Sequence, residues 1–548
     1  MSASRPTCDA FPMKSTFTLV SVLLTIPSMA VSAQDYIRVP GDYPTIQEAV
    51  DVAAPYDFVV VAPGTYQANG APFAVIDKPL TLLGGGSEGT YMSVLDGGAY
   101  GSGTDNSCPS TTWARAIDIH SSDVTIQGFR IQNFMGAQSG NDWGVAIMAR
   151  GDCHTPQVTY SNLNIDDVAT VDCRQAINFY QVDESLVSAI DCTYVLGVPD
   201  DYGITMRHSN QVEVSKCYLD TGIYMAPGCD NARVLNNRIF DSPSHGIWIG
   251  AHENATGPNS DSPTVSGNRV TRAGGGGIVI ASNPAETVTD ALVRGNVVRR
   301  TFGGPSDYGG ITIIGGTFEG LRVSINDSRQ SKASQPGLLI ADCTMGYGGI
   351  DRNRFAGNAG PGILLHNVSR GAGDLLVVYN SLHSNVGNQI DILLEDASTP
   401  MLTATYNWWG DWTGPYHSTI NPNGSGGSVG DNINFDNWLW IDSYRAPYIR
   451  TAGMEAGTTG RVMVKYCTPW SPVQMYFSLN GGGPFVSAMG TMSVTPPFEM
   501  LPKVWTDHKG NAQNNFHVPA SLMGLPIWFQ AYDFKQERLS NGHSVIVR

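Results

Sequence analysis

Four residues with acidic, basic or cationic side chains recur at nearly constant intervals in the first half of the chain: His120, Arg150, Tyr180 and Arg207. The intervals are 30, 30 and 27 residues. An imidazole or a phenol can donate or accept a proton, and a guanidinium can neutralise a carboxylate. These are the groups needed to remove a proton from a carbon atom beside a bound carboxylate, so we take all four as catalytic candidates.

A second set of residues keeps a fixed distance from the first. Asp118 and Asn178 lie two positions before His120 and Tyr180, and Tyr224 and Trp248 hold the same place in later repeats. Polar side chains followed by aromatic ones suit a groove that binds a sugar chain. We expect these four residues, together with His245, to contact substrate.

The elements that must position these residues are marked by a recurring pattern: a small residue, a branched apolar residue, any residue, and a second branched apolar residue. The first apolar position is filled by Ile117, Ile147, Ile177, Ile204, Ile223, Ile247, Ile278, Ile311, Ile363 and Ile390. The steps run from 19 to 33 residues, apart from one of 52 that Leu338–Ile340 would divide. A short strand recurring once per turn predicts a solenoid whose strands stack about 4.8 Å apart.

Side chains alternate across a strand, so the residues between and after the two apolar positions should point outward. The between-column then contains Asp118, Asn178, Tyr224 and Trp248, and the after-column contains His120, Arg150, Tyr180 and Arg207. The alternative is that solvent-facing strands simply carry mixed polar residues. Asparagines recur at one bend, at Asn237, Asn268, Asn296, Asn380 and Asn407, and stacked amides there can bond from coil to coil. Cys192 and Cys217 are expected to stack in the same slot, bonded or as buried thiols.

Composition is typical of a β-rich protein, since 62 of 548 residues are glycine and only 15% are charged. Residues 1–33 resemble a secretory signal, with an apolar run at Phe17–Ile26 and the small residues Val31–Ala33 before a cleavage site. The remainder has 30 basic and 47 acidic residues, a charge of −17 that disfavours nucleic-acid binding. No later stretch is long and apolar enough for a membrane span. We expect a monomer that is secreted, periplasmic or on the cell surface.

The ends of the solenoid carry their own signals. Thr45–Ala54 reads as a short amphipathic helix opened by a Thr-x-x-Glu capping box, which would cover the first coil. Residues 34–443 are predicted to form the solenoid. From about Tyr444 the repeat stops, and short alternating segments separated by Pro and Gly predict a small antiparallel sandwich over 444–548.

Two segments resemble a known family. Ile37–Pro40, Tyr43–Ala49 and Val60–Tyr66 are similar to the opening of secreted right-handed parallel β-helix proteins of the pectin-lyase-like group, and Asn407–Gly410 with Trp438–Leu439 resembles the closing motif of bacterial members. The resemblance implies an all-β, right-handed parallel β-helix with a capping helix and a sandwich-like C-terminal module. Related lyases use Arg, Lys or Ca²⁺, so Asp200 and Asp201 are candidate Ca²⁺ ligands.

These observations predict an exported protein that binds an extracellular, acidic polysaccharide along its sheet face and cleaves or epimerises it. The alternative is a non-catalytic surface or adhesion protein of the same fold. A third reading is a polygalacturonase-like hydrolase, since Ser244–Ile249 resembles the His-Gly segment of that group. That reading lacks a second carboxylate, because no Asp occupies the slot of His245 on earlier coils.

Overall fold

The computed structural model describes residues 34–101, 104–108, 111–136, 144–153, 157–193, 202–251, 257–302, 308–332, 334–371, 374–394, 398–439, 442 and 447–548. The expected signal segment and the candidate ligands Asp200 and Asp201 lie outside these residues. Within them, nearly all regular structure is β-strand, and most strands pair in parallel with the equivalent strand one coil later. The chain is a parallel β-helix.

Three stacked faces wind round one core. Sheet 1 contains Ala74–Ile76, Thr111–Ile119, Gly144–Arg150, Gln175–Tyr180, Tyr202–Arg207, Gly222–Met225, Ile247–Gly250, Ile278–Ala281, Ile311–Ile314, Leu338–Asp351, Ile363–Arg370 and Ile390–Leu393. Sheet 2 contains Tyr36–Val39, Phe58–Val61, Leu80–Leu83, Val124–Phe134, Asn164–Cys173, Leu186–Thr193, Glu213–Ser215, Arg233–Leu235, Thr264–Ser266, Leu292–Arg294, Thr317–Ser324, the end of Leu338–Asp351, Leu375–Val378, Leu402–Thr403 and Ile433–Asn434.

Sheet 3 begins with Gly64–Gln67 and Ser93–Asp96 and shares three long, bent strands with sheet 2 before it continues alone. Its later strands are Tyr218–Leu219, Arg238–Phe240, Arg269–Thr271, Val297–Arg299, Asp327–Arg329, Arg354–Ala356 and Ser381–His383. Smaller pairings outside the three faces involve Thr104–Cys108, Tyr160–Ser161, Val182–Asp183, Thr287–Thr289, Pro415–Tyr416 and Gly426–Ser428. The helices are Ile46–Val52 and Gly98–Gly101, with 3-10 turns at Gly151–Cys153 and Ala520–Leu522.

The predicted rungs of sheet 1 stack in register. Ile117 lies opposite Ile147, which lies opposite Ile177, and the series continues coil by coil to Ile390. Leu338–Ile340 supplies the rung that divides the long step. These side chains are fully buried in one continuous apolar core, whose burial is the main stabilising term of the solenoid.

The asparagine bend is a continuous ladder. The backbone N–H and side-chain amide of each asparagine donate to the side-chain oxygen of the next, at 2.8–3.1 Å, through Asn237, Asn268, Asn296, Asn326, Asn353, Asn380 and Asn407. Asn326 and Asn353 were absent from the predicted set. All seven are buried, and the ladder satisfies polar groups that a coil corner would otherwise leave without partners.

The cysteine prediction was wrong in register. The backbone N–H of Cys217 does donate to Asn237 Oδ1 at 2.9 Å, which extends the ladder by one coil. Cys192, however, lies opposite Leu219 rather than Cys217. The described cysteines 173, 192, 217, 229, 343 and 467 are all buried free thiols. Burial raises the pKa of each of these thiols, to about 11 for Cys192 and about 12 for Cys217.

The N-terminal end is covered as predicted. Thr45 caps the helix Ile46–Val52: its hydroxyl accepts from Glu48 N–H at 3.2 Å, and the Glu48 carboxylate accepts from Thr45 N–H at 3.3 Å. Ile46, Ala49 and Val50 bury the apolar side of the helix in the solenoid core.

The C-terminal strands form two antiparallel sheets over a separate apolar core. One sheet contains Tyr448–Ala452, Thr459–Lys465 and Ala512–His517; the other contains Pro472–Ser478, Glu499–Met500, Val504–Trp505, Pro526–Asp533, Arg538–Leu539 and His543–Ile546, and a hairpin joins Phe485–Ser487 to Gly490–Met492. This module touches the solenoid through charged groups, with Glu537 between Arg294 (2.6 Å) and Arg352 (3.5 Å).

Candidate functional site

The after-column is a real feature of sheet 1. Arg150 lies directly opposite Tyr180, and Tyr180 lies directly opposite Arg207. His120 follows the pair Ile119 and Ala149, so it occupies the same column one coil earlier. At about 4.8 Å per coil, His120 and Arg207 are separated by about 14 Å along the axis. The four catalytic candidates are therefore neighbours in space, although 87 residues separate the first from the last.

His120 is held by a buried ion pair. Asp118 Oδ2 lies 3.0 Å from His120 Nε2 and 2.6 Å from Arg115 Nε. Asp118 and Arg115 are each 1% exposed, whereas about a quarter of the His120 side chain is exposed. A buried carboxylate that fixes one ring nitrogen orients the imidazole and leaves its other edge toward solvent, as in a base held by a third group.

Arg150 is fully engaged by the protein. Its guanidinium contacts both oxygens of Asp152, at 3.0 and 2.5 Å, and donates to Asn178 Oδ1 at 3.3 Å. Its central carbon lies 5.2 Å from the Trp113 ring and 4.9 Å from the Tyr180 ring, both within cation–π range. A substrate carboxylate would have to displace Asp152. In this arrangement Arg150 holds the neighbouring side chains in place, and its charge is already neutralised by Asp152.

Arg207 differs from Arg150 in having no counter-ion among the described residues. It is half-buried, its guanidinium carbon lies 5.6 Å from the Tyr224 ring centroid, and no described carboxylate forms an ion pair with it. Within the described chain its buried Nε also has no hydrogen-bond partner. An uncompensated guanidinium at the surface of an acidic protein is the natural place for an anionic group to bind.

His208 is a further functional candidate, which the rung pattern did not mark because it follows the end of the strand. Its φ of 50° turns the chain at the end of the strand, and its ring packs edge-on against Tyr180 with centroids 5.1 Å apart. Burial, and next the adjacent Arg207, lower the pKa of His208, whereas Asp152 opposes this. His208 is therefore neutral at neutral pH, the form that can accept a proton.

The between-column does not line an open groove. Asp118, Asn178, Tyr224 and Trp248 stack in register as predicted, but each is at most 3% exposed. Corner segments fold back over them, and Trp113 packs on Met148 while Tyr308 packs on Trp248. These four residues lie beneath the surface and support the after-column, and their contact with substrate stays a prediction.

The supporting contacts follow a rule within each coil. Residues three apart meet: Arg115 bonds Asp118, Gln175 accepts from Asn178 at 2.7 Å, and His245 packs on Trp248 with centroids 4.9 Å apart. Both members of each pair therefore lie on the same side of the strand, which departs from regular alternation. In the sequence, the first position of each pair could be recognised only as a place where a hydrolase would carry a carboxylate.

His245 belongs to the buried aromatic cluster and not to a reacting pair. Its Nδ1 accepts from Gly276 N–H at 2.9 Å, and its ring contacts Tyr308 with centroids 4.6 Å apart. Burial lowers the pKa of His245 to about 4, with the Gly276 hydrogen bond opposing the shift. The ring is uncharged at neutral pH and 7% exposed, so in this conformation it does not reach a substrate.

The expected Ca²⁺ site stays a prediction. Asp200 and Asp201, the expected Ca²⁺ ligands, lie outside the described residues. In the part of the chain that the structure describes, no three His, Cys, Asp or Glu side chains are grouped to hold a metal ion. Nor does any described helix have the length and apolarity to cross a membrane.

Comparison with known proteins supports the fold. A family model for the right-handed beta helix region matches residues 115–322. A search of curated proteins gives no match. Among solved structures, the chain is similar to a family 28 exopolygalacturonase of Yersinia enterocolitica, with 14% identity, a TM-score of 0.39, and 66% of this chain and 79% of that chain covered.

Two further structures are similar at the same level. The A-module of the mannuronan C-5 epimerase AlgE4 of Azotobacter vinelandii has 14% identity and a TM-score of 0.39, with 67% of this chain and 99% of that chain covered. The Geobacillus virus E2 protein ORF18 has 12% identity and a TM-score of 0.36, and the alignment spans 64% of this chain and 62% of that one. Similarities at this level of identity and TM-score do not indicate an activity for this chain. The register of the coils and the region matched by the family model together show that the chain folds as a right-handed parallel β-helix.

Proposed function

We propose that this is an exported protein that binds an acidic polysaccharide along the after-column, with Arg207 holding a uronate carboxylate. The observation that carries the proposal is the contrast within the column: Arg150 is neutralised by Asp152, whereas Arg207 has no described counter-ion. The resemblance of residues 1–33 to a secretory signal supports export, and a secreted, periplasmic or surface location follows from it.

The groups around Arg207 suit proton transfer at the sugar that it binds. A carboxylate held by a guanidinium makes the neighbouring C–H more acidic, because charge that develops on the carboxylate is stabilised. Tyr180 is one coil away, and His208 packs on it in the neutral form. We assign His208 as the base and Tyr180 as the acid. This pair supports an elimination or an epimerisation, according to whether a leaving group departs or the proton returns to the other face.

His120 serves a different sugar unit. About 14 Å separates it from Arg207, so both cannot act on one sugar ring. With Asp118 behind it, His120 is placed to hydrogen-bond a hydroxyl further along the polymer. The after-column thus provides at least two subsites on one axis.

The test is a substrate panel with separate readouts for binding and for chemistry. Pectate, alginate and glycosaminoglycans are incubated with the protein while ultraviolet absorbance reports unsaturated uronate, and proton NMR in D₂O reports exchange at the carbon beside the carboxylate. We expect one polyuronate to give a signal that His208→Gln and Tyr180→Phe each abolish without weakening binding. Release of reducing ends without unsaturation or exchange would instead indicate the hydrolase and contradict this assignment.

A second candidate is a non-catalytic surface or adhesion protein. The buried between-column favours it, because the polar and aromatic residues expected to grip a reacting sugar are covered. Polyuronate binding with no product and no exchange would support this second function. That result would keep Arg207 as the residue that binds the carboxylate and would rule out Tyr180 as the acid and His208 as the base.

A further inference from the structure

Sheet 1 carries a second concave surface, well beyond Arg207 along the axis. A cleft of about 570 Å³ lies over the last coils, within the size range of small-ligand sites. Its floor is mostly apolar: Ile314, Ala341 and Leu393 belong to the after-column, and Leu339 and Leu364 belong to the between-column beside it. His366 lies between Ala341 and Leu393 in the after-column. The face that is cationic and polar at its start is therefore mostly aliphatic here.

One wall of this cleft is a fixed aromatic ring. Tyr308 packs edge-on against the buried His245 and Trp248, with centroid distances of 4.6 and 5.8 Å. Because its neighbours are buried, the ring is held in place before a ligand arrives. A fixed aromatic wall beside an aliphatic floor suits a flat ligand with an apolar face.

A buried amide supplies the most specific polar feature. Gln335 lines the cleft, is 5% exposed, and has a side-chain oxygen with no hydrogen-bond partner among the described residues. Buried polar atoms are nearly always paired, and an unpaired one is costly. The oxygen itself is buried beneath the cleft surface, so the amide must turn toward the cleft before a ligand N–H or O–H donor can supply the missing bond.

The charges at the cleft disfavour an acidic ligand. Its ionisable lining groups are Asp342 and His366, 4.0 Å apart, and no Lys or Arg of the described chain lines it. Asp342 is held by Asn367, whose amide donates to it at 2.8 Å. A carboxylate here would be repelled by Asp342 with no guanidinium to compensate.

We propose that this cleft binds an uncharged acetamido sugar. The amide N–H of such a sugar can donate to Gln335, its acetyl methyl can pack on Leu339 and Leu364, and the apolar face of its ring can lie on Tyr308. His366 in the floor and the adjacent Asp342 remain for hydroxyl groups. Both a donor and a methyl group are needed to satisfy these partners, and an acetamido group carries both.

This site is independent of the acidic subsite. Five coils separate Arg207 from Ala341 in the after-column, which corresponds to about 24 Å. The buried cluster of Tyr224, Trp248 and Tyr308 lies between them. Each site can therefore fail its own test while the other stands.

The test is titration of the full chain with an N-acetylglucosamine trisaccharide and, in parallel, with the glucose trisaccharide of the same linkage, by calorimetry and saturation-transfer NMR. We expect at least tenfold tighter binding of the acetamido probe, with transfer strongest at its methyl groups. Gln335→Leu should weaken that binding about tenfold, the effect of one lost hydrogen bond to an otherwise unpaired group. Equal affinity for the two probes, or no binding of either, would overturn the proposal.

A second pair of variants tests the site even if Gln335→Leu does not fold. Leu364→Asn should weaken the acetamido probe several-fold, because Leu364 is only partly buried and its polar replacement is tolerated. The matched control is Leu376→Asn, since Leu376 is 42% exposed and lies on sheet 2. Arg207→Gln should have no effect on this probe. Unchanged affinity with Leu364→Asn, or a loss with Arg207→Gln, would refute a separate neutral site.

Discussion

The asparagine ladder and the after-column both run along many successive coils of the solenoid, yet they differ in what repeats. Along the ladder the same residue occupies seven successive corners and makes the same bonds each time. Along the after-column the residue changes at nearly every coil, from His120 and Arg207 to Ile314 and Leu393. One column is uniform because it closes the fold, and the other varies because the fold does not depend on it.

The difference separates architecture from recognition. A position whose bonds reach both neighbouring coils cannot change without breaking two contacts. A position that faces outward is constrained only by what binds there. Substitutions in the ladder should therefore change stability, and substitutions in the after-column should change binding.

The largest effect is expected from Asn296→Ala. Asn296 accepts from Asn268 and donates to Asn326 and to Val265 O, so its loss leaves several buried polar groups without partners. We expect the free energy of unfolding to fall by about 3–5 kcal/mol in urea titrations. The matched control is the exposed Asn69→Ala, which should change it by less than about 0.5 kcal/mol. Similar effects for both would mean that the ladder is dispensable.

The next largest effect is a loss of stability at acid pH that arises from His245. Its pKa is about 4 in the fold against an ordinary value of 6.5, so the unfolded chain binds a proton first as pH falls. The stability that depends on an uncharged His245 is complete above pH 6.5 and is lost between pH 6.5 and about 4, by about 3 kcal/mol. In His245→Gln the urea midpoint should depend less on pH between 6.5 and about 4. A wild-type profile retained in the variant would refute the assignment.

Arg207→Gln should have a smaller effect, and on binding alone. Loss of one charge-assisted contact should weaken polyuronate binding about tenfold and leave the urea midpoint unchanged. Arg238→Gln is the matched control, because Arg238 is an exposed arginine on sheet 3. Calorimetry at two salt concentrations measures the difference. Equal losses for both arginines would show that binding follows net charge and has no site.

The smallest effect is expected at the contact between the C-terminal module and the solenoid. Glu537 is about one-third exposed and lies between Arg294 and Arg352, which contribute to lowering its pKa against the opposing effect of desolvation. Glu537→Gln should lower stability by less than about 1 kcal/mol, and less still in high salt, because solvent screens exposed pairs. Hydrogen exchange near residue 537 gives the readout. An effect that persists undiminished in high salt would contradict the ionic explanation.

Much of the fold could be predicted from sequence, because it depends on local period. The rung pattern placed Ile117 and Ile147 in register, Leu338–Ile340 filled the gap, and the Thr45 capping box opened the first helix. The burial of Tyr224 and Trp248 could not be predicted. It depends on corner segments such as that of Tyr308, which have no period and whose path is set by tertiary packing.

The candidate site was predicted in outline and not in detail. The after-column was found from spacing alone, whereas the neutralisation of Arg150 required knowing where Asp152 lies after the strand ends. Cys192 shows the same limit, since a shared sequence phrase suggested a shared slot that the strand register does not support.

The buried thiols bear on how the folded protein reacts with thiol reagents. Cysteines 173, 192, 217, 229, 343 and 467 are buried and their pKa values are raised, so the reactive thiolate is scarce at neutral pH. The described structure contains no cross-link among them, and its coils are joined by hydrogen bonds and apolar packing instead. These six side chains should therefore be protected from thiol reagents in the folded protein and should react only when it unfolds.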